Sequence, residues 1–201
     1  MDFTTVQKNL KERGFAVSTF ATAKEAADYL NAQIDGTSVS FGGSVTLSEM
    51  GLFESLGKHN AIYSHWNVPD GMSADEVREK AATCAHYLLS ANGLAETGEI
   101  INIDGTGNRV SSTLYGHKKV WFVVGSNKVA PSYDEALWRA RNIAAPKNAQ
   151  RLGVKTPCAV KGDRCYDCKS PQRICRGLVV LWEAIRSCET EVVLVDEPLG
   201  Y

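Results

Sequence analysis

Residues Lys119 to Gly125 read KVWFVVG, and five consecutive apolar residues inside that run leave it no polar face. A short segment rich in β-branched and aromatic residues, apolar on both sides of its pleat, is a strand covered from above and below. It is the central strand of a sheet with helices on both faces, and the remaining chain supplies that setting.

Upstream, Val6 and Leu10 lie on one face of an opening helix that Gly14 ends, and Phe15 to Phe20 reads as a strand. Thr22 caps a second helix through Tyr29, Leu30 and Ile34, and Thr37 to Phe41 is a strand that stops at Gly42-Gly43-Ser44. A helix holding Leu47, Met50 and Phe53 follows, then a strand from Ala61 to Ser64. Ser73, with Glu76 at the capping-box position, opens a long helix expected to run to Ser90. Leu94 to Thr97 and Glu99 to Ile103 are strand pieces broken at Gly98, and the second enters Asp104-Gly105-Thr106-Gly107-Asn108-Arg109. Ser132 and Glu135 open the last long helix, which Pro146 ends or kinks. Gly177 to Ile185 and Glu191 to Asp196 are two more strand-like runs, although the first is also compatible with a helix. Strands alternating with helices give a layered α/β fold with a mainly parallel sheet, in one domain spanning residues 1–201.

A net charge of −1 provides no long-range field for nucleic acid, and no apolar run approaches the length of a membrane span. The first fifteen residues hold no signal-peptide core, which places the protein in the cytoplasm.

In open α/β sheets ligands collect at the carboxyl ends of strands, where loops enter helix N-termini. Gly42 and Gly43 permit close backbone approach there, and Ser44 and Thr46 add hydroxyls. Glu49 fits a helix cap better than a catalytic role. In the second loop, Arg109 can hold a phosphate or carboxylate bidentately, with Asp104, Gly105, Gly107 and Asn108 shaping the turn. Val110 stands where a dinucleotide fingerprint needs its third glycine, and a polar turn with an Asp-Arg pair is the plainer alternative. Glu96, beside Thr97 and Gly98, is a candidate nucleophile or general base, or else a carboxylate bonding loop amides. Together Gly42–Thr46, Glu96–Gly98 and Asp104–Arg109 form the expected cleft for a small anionic, phosphate- or carboxylate-bearing molecule. The four histidines show no metal-ligand spacing, and Cys84 reads as a small buried hydrophobe.

Cys158, Cys165, Cys168 and Cys175 fall within eighteen residues, separated by six, two and six. In a reducing compartment such a cluster points to a metal or a redox role more than to structural disulfides. Four thiolates suit zinc or a [4Fe–4S] cluster, and Lys161, Arg164, Lys169, Arg173 and Arg176 would offset the negative charge of either. The long arms favour zinc, and a reversible disulfide is the remaining alternative. The cysteine-rich segment spans 156–176.

The stretch from Ala95, AETGEIINIDGTGNRVSSTLYGHKKVWFVVGSNKV, with the helix DEALWRARNIAAPKNAQRLG from Asp134 and SVTLSEMGL from Ser44, resembles the LUD domain of bacterial lactate-utilization proteins. The resemblance covers most of the chain and implies the fold of the phosphosugar-isomerase and CoA-transferase superfamily. It also implies a role in oxidising lactate or a related 2-hydroxy acid beside an iron-sulfur oxidoreductase partner, which favours iron-sulfur at the cysteines. A non-catalytic electron-transfer or assembly subunit, and an enzyme handling CoA or a sugar phosphate, are the alternatives it leaves open. Related CoA transferases use a glutamate nucleophile, and Glu96 before Gly98 looks like that arrangement. Paired ferredoxin-type cysteine runs are missing from this chain.

Overall fold

The computed structural model describes residues 1–201. In chain order the elements are α1 (Thr4–Glu12), β1 (Ala16–Phe20), α2 (Ala23–Gln33), β2 (Ser38–Phe41), α3 (Val45–Glu49), α4 (Leu52–Leu56), β3 (Ala61–Tyr63), α5 (Ala74–Ala81), β4 (His86–Leu89), β5 (Gly93–Ala95), β6 (Ile100–Asp104), α6 (Asn108–Ser111) and β7 (Lys119–Gly125). A 3-10 turn (Ser126–Lys128) then leads to β8 (Val129–Ala130), α7 (Tyr133–Arg139), a π turn (Ala140–Ala144), α8 (Ala145–Arg151), α9 (Pro157–Lys161), β9 (Gly177–Leu181) and β10 (Glu189–Val195).

Six strands form one fully parallel sheet in the order β1-β10-β7-β4-β2-β3. The KVWFVVG run is an inner strand, as its composition requires. Its side chains alternate: Val120, Phe122 and Val124 join the core beneath α1 and the smaller sheet, while Trp121 and Val123 join the core beneath α2, α3 and α4. The smaller sheet, in the order β8-β5-β6-β9, carries α7 and the π turn on its outer side through Ala95, Ile101, Ala136 and Ala140. Both capping boxes form, Thr22 with Glu25 and Ser73 with Glu76.

Two local expectations are corrected, and the one at Pro146 is narrowed. The helix opened by Ser73 stops at Ala81, and residues 86–89 are β4, paired in parallel with β2 and β7. No glycine or proline separates the two elements, so the apolar run from Cys84 to Leu89 prolongs the helical pattern in the sequence. Tertiary pairing decides it, because Tyr87, Leu88 and Leu89 are each 1 % exposed or less between flanking strands. The helix expected over Leu47, Met50 and Phe53 is broken into α3 and α4 by Gly51, whose φ of 62° lies in the left-handed region. Pro146 does not end the last long helix. The preceding turn widens to π geometry, and the chain stays helical from Tyr133 to Arg151 around the missing proline N–H.

Candidate functional site

The carboxyl ends of β2, β4 and β6 open on one cavity of about 470 Å³, within the range of small-ligand sites. Its wall also takes residues from α8 and from the segment before β9. Arg78, Arg109, Lys128, Arg151, Arg173 and Arg176 all line it, and Asp104 is the one side-chain carboxylate among the lining residues. Such a balance favours an anion.

Two of these groups belong to the frame. The Asp104 carboxylate accepts from the backbone amides of Gly105, Thr106, Arg109 and Val110, so it folds the loop onto the start of α6. Arg109 is half-buried by its fraction of exposed surface but has its guanidinium deep inside. One terminal nitrogen donates to Asn102 Oδ1 at 2.6 Å and to the Ser90 carbonyl at 3.5 Å; the other donates to Asn92 Oδ1 at 3.1 Å and to the Ile103 carbonyl. Its four terminal N–H bonds are thereby engaged within the protein. Gly42 is the reason it can lie there: a Cβ on that residue would stand 2.9 Å from Arg109 Cγ and 3.0 Å from the Tyr87 hydroxyl. Gly105 plays the same part on the far wall, where a Cβ would meet the Ile174 carbonyl at 2.5 Å.

Lys128, which the sequence reading passed over, is the most unusual group in the cavity. It is 3 % exposed, and its Nζ lies 2.7 Å from Thr46 Oγ1 and 2.8 Å from Ser90 Oγ. No carboxylate pairs with it. Burial, reinforced by the positive charges of Arg139 and Arg109, pushes its pKa down to about 7. A lysine three residues beyond a strand buried on both faces was the signal available, because strand ends in such sheets point at ligands. Ser90 and Asn92 were hidden by the helical reading of β4. Trp66 and Arg151 close one side, with the guanidinium 4.8 Å from the indole ring. His65 also lines the cavity, its pKa lowered by burial and by Arg78.

Of the residues expected at the site, Gly43, Ser44, Thr46, Asp104, Gly105, Asn108 and Arg109 do line the cavity. Ser44 caps α3 by accepting from the Leu47 amide. Gly42 and Gly107 lie in the same loops without forming its wall. Glu96, Thr97 and Gly98 are not brought there. Their turn packs against α1, with Asn9 donating to the Glu96 carbonyl at 2.6 Å and Arg13 to the Thr97 carbonyl at 2.6 Å while pairing with Glu99.

The four clustered cysteines are half-buried and unbridged, and only Cys175 reaches the cavity wall. Cys158 sits beside the Thr156 hydroxyl at 3.3 Å, and Cys165 Sγ accepts from the Asp167 amide at 3.4 Å with Arg141 beyond it. Nowhere do three His, Cys, Asp or Glu side chains gather within metal-binding reach, so in this arrangement the sulfurs do not fit a tetrahedral ligand set.

Three comparisons bear on this architecture. No curated protein matches the chain. The crystal structure of a DUF162 family protein from Deinococcus radiodurans superposes with a TM-score of 0.52 at 13% identity, covering 97% of this chain and 99% of that one, and it supports the fold. The family model described as the LUD domain matches residues 4–195. With a match that takes in both sheets and every lining residue of the cavity except Tyr201, the chain belongs to the LUD domain family.

Proposed function

We propose that the cavity binds a small carboxylate of the 2-hydroxy- or 2-oxo-acid type, and that the protein acts in the cytoplasm in the utilization of lactate or a related acid. The observation that carries this reading is the charge of the wall: six arginines and lysines line the cavity, Arg78 and Arg173 paired with Asp75 and Asp167 outside it, and its single side-chain carboxylate is turned into its own loop. Arg151, which no carboxylate side chain pairs, is the group best placed to meet the carboxylate, and the Thr46 and Ser90 hydroxyls suit a neighbouring oxygen. A cavity of about 470 Å³ holds such an acid with room for a larger group attached, so a CoA or sugar-phosphate ligand is the competing occupant. Isothermal titration with lactate, pyruvate, inorganic phosphate and CoA tests the choice. Saturable binding of the first two is expected, and binding of CoA alone would reverse the order.

The Asp167 amide aimed at Cys165 favours a second reading for the cysteine segment, because an N–H donor stabilises a thiolate. In this reading Cys158, Cys165, Cys168 and Cys175 hold zinc or a [4Fe–4S] cluster after the segment gathers its sulfurs, and the surrounding basic residues dock an iron-sulfur oxidoreductase partner. Metal and acid-labile sulfide analysis after anaerobic purification tests it. Protein free of both would overturn it.

A further inference from the structure

We propose that Lys128 is a nucleophile that forms an imine with the carbonyl carbon of a 2-oxo acid bound in the cavity. The inference rests on the anionic-cavity reading above and adds the chemistry to it.

Lys128 is held without a counterion at a place where three strand-end loops meet. Thr46 follows β2, Ser90 follows β4 and Lys128 follows β7. A lysine serving only as packing would extend its ammonium to water, and one serving as an electrostatic tie would face a carboxylate. This one does neither: it is 3 % exposed, and the charges that act on it most, Arg139 and Arg109, are positive, with Glu49 a weaker opposing charge. Arg139 is itself committed to the Asn127 and Asn92 carbonyls, so it stays in place. Surroundings of this kind favour the neutral amine, the form that attacks carbonyls.

The hydrogen bonds orient that amine. Thr46 Oγ1 lies 3.2 Å from the Leu199 carbonyl, to which it donates, so its oxygen is left to accept from Nζ. Ser90 Oγ accepts the second N–H. A neutral amine with both N–H bonds spent on these oxygens directs its lone pair away from them, and Lys128 itself forms part of the cavity wall.

The step balances without an added reagent. The Nζ lone pair forms the new N–C bond as the carbonyl π pair moves to oxygen. That oxygen takes a proton from the attacking nitrogen through the Ser90 hydroxyl, giving a carbinolamine. Expulsion of the hydroxyl with a second proton releases water and leaves the imine, with no change of oxidation state. In its protonated form the imine draws electrons from the adjacent carbon. The cationic wall holds the carboxylate meanwhile, which separates a 2-oxo acid from an uncharged ketone.

Full-length protein is incubated with pyruvate and sodium cyanoborohydride, which reduces imines in preference to carbonyls, and the adduct is mapped by digestion and mass spectrometry. Saturable addition of one reductively linked pyruvate at Lys128 is expected, with a rate that rises between about pH 6 and 8 and then levels. Surface lysines react more slowly, and their rates continue to rise toward pH ~10. Lys128→Met should lower trapping at least 100-fold. Because mapping on the unaltered chain identifies the site without any variant, the proposal survives a variant that fails to fold. Titration of pyruvate and phosphate without reductant separates the two readings. Binding of either with no adduct at Lys128 overturns the imine and leaves the anionic cavity standing, whereas binding of neither overturns both.

Discussion

The guanidinium of Arg109 donates to the side-chain oxygen of Asn102 at 2.6 Å and thereby ties the loop after β6 back onto its own strand. Since its other terminal N–H bonds go to Ser90, Asn92 and Ile103, this arginine builds the cavity floor. Arg109→Ala strands several buried acceptors and should cost about 2–4 kcal/mol. The melting temperature should fall by roughly 5 to 15 °C in a thermal scan. An unchanged melt with lost ligand binding would instead make Arg109 a ligand contact.

Arg151 and Glu96 provide a contrast between wall and scaffold. Arg151 stacks on Trp66 at the cavity, whereas the Glu96 turn packs on α1. Arg151→Ala should weaken binding of a carboxylate or phosphate about tenfold, the loss of one charge-assisted contact. Glu96→Gln should change it by less than about twofold. Isothermal titration of both variants with pyruvate and phosphate decides, and the opposite ranking would restore Glu96 to the site.

Lys128 should also leave a mark on stability. Its folded pKa, about 7, lies below the ordinary lysine value near ~10.4. Between these values the unfolded chain binds a proton that the folded chain does not, so this residue makes stability rise with pH from about 7 toward 10. Below pH 7 the full cost of charging it is present. Lys128→Met removes this contribution, and urea titrations from pH 7 to pH 9.5 should show the wild type gaining stability relative to the variant. A constant difference would place the lysine's folded pKa in its ordinary range.

Glu191 gives a pH slope of the same sign in a more acidic window, but here it is the charged form that the fold favours. It is 4 % exposed, and burial alone would raise its pKa, but bonds from Lys119, Ser18 and Tyr29 outweigh burial and lower it. Its contribution to stability is therefore present above the ordinary glutamate value near ~4.3 and is lost as pH falls through the lower folded value. Glu191→Gln should lower the melting temperature by several degrees at pH 7, and the gap should narrow below pH 4.

The sequence made the central strand legible because KVWFVVG admits one environment, and it made the glycine loops legible because Gly42 and Gly105 mark close approach. It concealed β4, whose apolar residues continue the pattern of α5 without a breaker. That loss carried away Ser90 and Asn92, and with them the setting that makes Lys128 unusual. Glu96 lies away from this cavity, which the sequence did not announce: a carboxylate beside a glycine turn carries no sign of which side of the sheet it will face. Here Asn9, distant in sequence, ties the Glu96 carbonyl to α1, and Arg13 holds Thr97 and Glu99 beside it. Arg109 lies at the cavity, but its partners come from two separate segments, residues 90–92 and 102–103, that no local motif records.

The wall formed by Arg173, Ile174, Cys175 and Arg176 is stitched to the Asp104 loop, with the Arg176 amide donating to the Asp104 carbonyl at 2.9 Å and β9 continuing the pairing along β6. Thiol chemistry and ligand occupancy therefore share a partition. Alkylation of Cys175 is therefore expected to change the affinity of the cavity for an anion, and a bound anion to change the rate at which that thiol is labelled. Labelling Cys175 with and without phosphate measures how far that wall and the cavity's occupancy are linked.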